Sequence, residues 1–293
     1  MNNKLKLSEY ALGLWRLTEA ELSDEDLLEL IKMALNNGIT TFDHADIYGG
    51  GEAQIQFGRV LNANQEIRKQ IQIISKCGIV RNKDDESGLT PSHYNTSYNH
   101  IMAQTKLILE QLQIDYLDML LIHRVDHLMD FKEVARAFRD LKDQGLVNHF
   151  GVSNFLVPQL DALIKEFPEI ELNQIQISVD HLEHFKNGVL ERCAYHDCGV
   201  MAYSPLGGGL IFKDPYHNPL LKEEMLKIKE EISAETLDQV MLAWLKKHPI
   251  KIVPILGTMK ANRVESALKA QNLELSNEQW YRLFAMSQLE RLP

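Results

Sequence analysis

The sequence predicts an α/β fold, a closed (β/α)8 barrel of the TIM type forming one domain over residues 1–293, with an extra helix at its C-terminal end. Two observations point there. Short apolar runs alternate with amphipathic helical stripes along the whole chain, and such alternation implies parallel strands joined by right-handed crossovers. At about 37 residues per unit, eight units fill the 293 residues, which suits a closed barrel better than an open sheet. The rival doubly wound sheet lacks its Gly-rich turn after the first strand. Gly49-Gly50-Gly51 matches neither the dinucleotide fingerprint nor the P-loop.

The elements follow in order. Ala11 to Trp15 is the first strand. A helix from Asp24 to Asn37 carries Leu27, Leu28, Ile31 and Leu35 on one face, with Ser23 as its cap and Gly38 closing it. Ile39 to Phe42 is the second strand, Glu52 to Asn62 a helix, and Gln70 to Ser75 the third strand. Lys83 to Asn95 is polar, contains Gly88 and Pro91, and reads as a long surface loop. Tyr98 to Leu112 is helical. Leu117 to Ile122 is a nearly continuous apolar strand, the pattern of a sheet covered on both faces. A helical stripe of Phe131, Val134, Ala135, Phe138 and Leu141 ends near Gly145. The strand Val147 to Gly151 and the helix Val157 to Phe167 come next. Strands Leu172 to Ile177 and Val200 to Tyr203 flank a short helix from Val189 to His196. A Gly- and Pro-rich loop runs from Ser204 to Pro219, and Thr236 to Lys247 is helical. Lys251 to Ile255 is the last strand, followed by helices at Ala261 to Ala270 and Asn277 to Gln288.

Composition narrows the function classes. Charge is 31 − 41 = −10, an acidic balance that argues against nucleic-acid or anionic-membrane partners. No apolar run approaches the roughly 20 residues needed to cross a bilayer. Met1 to Lys6 contains no apolar h-region, so no secretory signal is read. Three cysteines are too few for a disulfide framework. A cytoplasmic protein is expected.

In such a barrel the C-terminal ends of the strands face the active site. Read there, the chain offers Asp43, His44 and Asp46 with Tyr48 just beyond, then Lys76, then His123-Arg124. Ser153-Asn154, Gln174, Tyr203-Ser204 and Gly257-Thr258 follow. Lys, Asp and His are each costly to bury unpaired, so their convergence on one mouth invites a functional reading.

Gly-Ile-Thr-Thr-Phe-Asp-His-Ala-Asp-Ile-Tyr (Gly38 to Tyr48) resembles the signature of the aldo-keto reductases. Ile-Ser-Lys to Lys76, Asp115 to His123, Gly151 to Phe155 and Ala202 to Gly207 resemble its later blocks, in order across nearly the whole chain. Singly, Asp43, Lys76 and His123 could be a turn cap, a surface lysine and a core histidine. Five blocks in register favour the catalytic reading.

The resemblance implies NAD(P)H-dependent reduction of a small-molecule carbonyl substrate. Tyr48 would be the general acid, with Lys76 beside the phenol expected to lower a pKa that is ordinarily near ~10. Asp43 would hold Lys76, and His123 would orient the carbonyl. No metal is implied, because the cofactor carries the hydride. By the same resemblance Ser153, Asn154 and Gln174 match carboxamide-binding positions, Tyr203 matches the nicotinamide platform, and Asp43 is also counted among the cofactor-binding residues. Ser204, Leu206, Gly207 and Gly208 match the pyrophosphate loop, and Trp15 a ribose-side position, although Leu14 stands where the family often has threonine. Gly257, Thr258, Lys260 and Arg263 fall where a 2′-phosphate is gripped, which points to NADP(H). The family's Glu-Asn pair is Ser266-Ala267 here. Substrate choice is expected from Gly78 to Asn95, Arg124 to Asp130 and the stretch after Ser276.

Two other classes fit parts of the sequence. His44, Asp46, His123 and the His181-Leu-Glu-His184 run could serve a metal-dependent barrel hydrolase, if three or more of them converged. Some barrels of the resembling family are instead cofactor-binding auxiliary subunits with little turnover.

Overall fold

Residues 4–82, 92–214 and 217–288 are described by the computed structural model, and within them eight parallel strands close into a barrel. They are β1 (Ala11–Gly13), β2 (Thr41–Asp43), β3 (Gln72–Cys77) and β4 (Leu117–Ile122). β5 (Val147–Ser153), β6 (Ile170–Gln176), β7 (Gly199–Tyr203) and β8 (Val253–Leu256) complete the ring. β1 closes onto β8, with Ala11 opposite Ile255 and Leu12 opposite Leu256.

Strand periodicity decides what faces the interior. Ala11, Ile74, Met119, Leu121, Leu172, Met201 and Ile255 pack into one buried cluster inside the ring, with Leu5 and Leu7 against it. Two residues further along the same strands come Lys76 after Ile74, Gln174 after Leu172 and Tyr203 after Met201. Ser153 follows Gly151, its register partner being Gln174. His123 continues the parity of Leu121 past the end of β4. Polar side chains therefore replace apolar ones on the inward face at the C-terminal end. The intervening residues Phe42, Ile73, Leu120, Phe150 and Val200 belong to the larger cluster under the helices.

Local chemistry fixes the helices. Ser23 caps Asp24–Asn36 by accepting from the Asp26 N–H at 3.0 Å. Asp130 caps Phe131–Asp143 through the Lys132 and Glu133 amides. Gly58 lets Glu52–Ala63 lie against Tyr98–Leu112 at backbone contact, since a Cβ there would sit 2.3 Å from the Gln111 carbonyl oxygen.

The strands differ from expectation mainly at their ends. β3 runs two residues later and β5 two residues longer, so Asp43, Lys76 and Ser153 are strand residues rather than residues beyond strands. Ile79–Val80 pairs antiparallel with His93–Tyr94, so the expected surface loop ends in a strand. Residues 83–91 of that loop lie outside the described residues. A helix at Pro219–Glu231 was not expected. Its charge-rich sequence hides a stripe of Leu221, Met225 and Ile228, all buried. Asn218 caps it through the Leu221 amide at 3.2 Å, with Pro219 opening the first turn. The extra C-terminal helix, Asn277–Gln288, is present as expected. It reaches Pro219–Glu231 through Arg282, which donates to Glu224 and Glu231. Trp280 stacks on Trp244 at 4.9 Å, and each indole donates to the other residue's carbonyl at 3.1 Å.

Candidate active site

β2 and β3 bring Asp43 and Lys76 together inside the barrel, with side chains only 3% and 0% exposed. An ammonium has three N–H groups. One is shared by the Asp43 carboxylate oxygens, both at 2.8 Å, and another goes to the His44 carbonyl at 2.7 Å. The third lies 3.1 Å from the Tyr48 phenol oxygen. Asp43 Oδ1 also accepts from Gln174 Nε2 at 2.7 Å, which ties β6 to the pair. Asp43 and Lys76 are thus held from several directions, as a buried ion pair must be.

Tyr48 reaches Lys76 because the chain turns sharply after β2. Tyr48–Gly51 is a 3-10 turn in which Gly49 and Gly50 adopt φ of 57° and 77°. The phenol ring stacks at 5.8 Å on Trp15, itself 59% exposed just past β1, and meets His123 edge-on at 6.2 Å. The phenol oxygen accepts from Lys76, and the hydroxyl also meets the Asp43 carboxylate.

Burial raises the Tyr48 pKa well above the ordinary phenol value, and the Asp43 charge and hydrogen bond add to it, while Arg124 opposes them. The expectation that Lys76 would lower it is therefore corrected: burial and Asp43 raise it. The phenol stays protonated through neutral pH, as a proton donor requires. Burial lowers the Lys76 pKa, opposed by Asp43. His123 is held well below its usual range by burial first, then by Lys76, Arg124 and Arg81, so its imidazole is neutral. Burial pushes the neighbouring Asp46 up to about 7 and His44 down to about 3.

On the opposite wall, Ser153, Asn154, Gln174 and Tyr203 are linked. Asn154, at φ 62°, donates to the His123 carbonyl at 3.2 Å and to Ser153 Oγ at 2.8 Å. Its Oδ1 accepts from the Tyr203 hydroxyl at 2.8 Å, and Ser153 Oγ donates to the Gln174 carbonyl at 2.8 Å. The Tyr203 ring is thereby fixed. Past it, Ser204 and Leu206 lead into Gly207, Gly208 and Gly209, which hold φ of 56°, 66° and 82°. Gly207 presses on Asp180, whose carboxylate would lie 2.3 Å from an added Cβ. Sequence reasoning misses Asp180. The available signal is Ser178-x-Asp180 just past β6, where Ser178 Oγ donates to Asp180 and His217 Nε2 sits 3.2 Å from it.

At the far end, Gly257 and Thr258 follow β8, and Thr258 Oγ1 accepts from the Lys260 amide at 3.2 Å where the helix Ala261–Lys269 begins. Lys260 and Arg263 are exposed. These donors fit a nucleotide phosphate: two exposed cations beside a helix start. Ser266 instead faces Gln239, which donates to its carbonyl and hydroxyl, and Ala267 is buried. That pair is turned towards the neighbouring helix.

The residues weighed for a metal do not converge. Among the described residues no group of three His, Cys, Asp or Glu could hold an ion. His44 packs its ring on Phe57 at 4.6 Å, and the His181 and His184 rings contact each other at 6.5 Å. No helix among the described residues is long and apolar enough to cross a membrane.

A barrel with this mouth is the frame of a reductase family, and residues 10–287 match the Aldo/keto reductase family model: the chain belongs to that family. The family uses NADP(H). The chain is 42% identical over 291 residues to YcsN, an uncharacterized oxidoreductase of Bacillus subtilis (strain 168), covering 99% of this chain and 97% of that one. It is 34% identical over 289 residues to a 6-dehydroglucose reductase of Agrobacterium fabrum, covering 98% and 96%. Its fold is shared with an aldo/keto reductase from Klebsiella pneumoniae crystallised with NADP and acetate, at TM-score 0.78 and 22% identity, covering 98% of this chain and 93% of that one.

Proposed function

We propose that the protein reduces an aldehyde or ketone to the alcohol, using NADPH, with Tyr48 as the proton donor. The carrying observation is the Lys76 ammonium, fixed by Asp43 and His44 with its third N–H towards the phenol oxygen. That hydrogen bond stabilises negative charge on the phenol oxygen as its proton leaves for the carbonyl oxygen. Neutral His123 supports the reading as a hydrogen-bond partner that orients the carbonyl without competing as an acid.

NADPH supplies the hydride when bound. Ser153, Asn154 and Gln174 would hold its carboxamide and Tyr203 its ring. Gln174 commits Nε2 to Asp43, which leaves its amide oxygen as the acceptor. Ser204, Leu206, Gly207 and Gly208 would line the pyrophosphate, and Gly257, Thr258, Lys260 and Arg263 the 2′-phosphate. Trp15 would flank the ribose side of the mouth. The relative named a 6-dehydroglucose reductase supports a carbonyl as the reacting group.

The test is fluorescence titration with NADPH and NADH, then a panel of aldehydes and ketones followed at the nicotinamide absorbance. Tighter binding of NADPH and its oxidation by at least one carbonyl are expected. Absence of both would overturn the reading.

A further inference from the structure

We propose that Arg124 forms an anion subsite at the mouth, so that the substrate is a carbonyl compound bearing a carboxylate or phosphate a few bonds from its carbonyl. This deepens the reductase reading and rests on it.

Arg124 directly follows His123 past the end of β4, and its guanidinium carbon lies 5.8 Å over the Tyr203 ring. It therefore stands at the rim between the candidate proton donor and the candidate nicotinamide platform. Its charge is felt at both groups placed against the carbonyl: it opposes the rise at Tyr48 and helps keep His123 neutral.

Other arginines of the fold have partners. Arg59 pairs with Asp24, Arg68 with Asp118, Arg192 with Asp161 and Arg282 with Glu224 and Glu231. Among the described residues, Arg16, Arg81, Arg124, Arg139 and Arg263 have no carboxylate within ion-pair distance; the other four are exposed, whereas Arg124 is half-buried. A cation partly removed from water without a counter-ion is costly unless a ligand supplies the charge.

The nearby acids do not pair with Arg124. Asp43 serves Lys76 and Gln174. Asp126 accepts from the Thr96 amide at 3.2 Å, the Thr96 hydroxyl at 2.9 Å and the Leu128 amide at 2.8 Å. Asp46 Oδ1 is buried and makes no hydrogen bond, to Arg124 or to any other described residue. In a chain of net charge −10, an uncompensated guanidinium at the reacting end favours an anionic group over a neutral polyol. The planar fork suits carboxylate and phosphate alike.

The experiment compares matched substrates with NADPH: succinic semialdehyde against butanal, and glyceraldehyde 3-phosphate against glyceraldehyde. At least one charged member should exceed its neutral partner in kcat/KM by about tenfold, mostly through KM. The pair that does so identifies the anion. In Arg124→Gln that ratio should collapse towards one, and Arg124→Lys should restore part of it. Equal kcat/KM within both pairs overturns the subsite while leaving the reductase reading intact. A ratio unchanged in Arg124→Gln, or a loss confined to the NADPH Kd, also overturns it. Oxidation of NADPH by none of these or any other carbonyl removes the reductase reading and the subsite together.

Discussion

At the chemical end of the cleft, Asp43, Lys76 and Gln174 are almost wholly buried and bonded to one another. At the end proposed to hold the nucleotide phosphates, Lys260 and Arg263 stand exposed at a helix start, and Gly207, Gly208 and Gly209 adopt positive φ. On the proposed function the difference follows from what each end handles. A proton donor must be held within fractions of an ångström of its target, so its supports are fixed by buried bonds. A dinucleotide must enter and leave, and exposed cations bind phosphate without a large desolvation cost in the free protein. Changes at the first end should therefore alter chemistry and stability together, and changes at the second end cofactor affinity alone.

The largest effect is expected from Lys76→Met. It leaves the Asp43 carboxylate buried without its ammonium partner, and breaking such a pair costs about 3–5 kcal/mol. Urea denaturation should show that loss, and carbonyl reduction should fall by about 10²–10³-fold. A fall in turnover with stability intact would separate the two roles that the comparison joins.

A smaller effect concerns acid stability at the same end. His44 stays neutral in the folded protein down to about pH 3, whereas an unfolded imidazole protonates near about 6.5. Between those values the unfolded chain binds more protons, so this residue's contribution to stability is lost as pH falls through the window. Asp46, raised to about 7, acts in the opposite direction and is present in both proteins compared. Urea midpoints measured from neutral pH down to about pH 4 should decline less in His44→Phe than in the parent. Parallel declines would contradict the burial argument.

The smallest effect belongs to the exposed end. Arg263→Ala should raise KM for NADPH by about tenfold and leave NADH little changed, with unfolding midpoints unaltered. Equal losses for both cofactors would place Arg263 away from the 2′-phosphate.

Much of this contrast is legible in the sequence, for reasons specific to each residue. Strand parity carries Lys76 from Ile74 and Gln174 from Leu172, so the inward placement follows from a period of two. Strand ends are less legible: β3 continues through Lys76 and Cys77 because register with β4 pairs them with Leu121 and Ile122, information that lies in another segment. The helix Pro219–Glu231 is obscured by its Lys and Glu content, and the Arg282 ion pairs that tie it to the C-terminal helix come from a distant segment. Asp180 beneath Gly207 depends on two loops meeting. The direction of the Tyr48 pKa needed burial, which no spacing reports.

The most direct test is hydride transfer by Tyr48→Phe, followed in a single turnover with saturating NADPH beside a titration of NADPH affinity. Phenylalanine keeps the ring against Trp15 and removes only the hydroxyl that Lys76 meets at 3.1 Å. Carbonyl reduction slowed by about 10²–10⁴-fold with NADPH affinity preserved is the predicted result. Transfer at the parental rate would show that the proton comes from elsewhere and contradict the account.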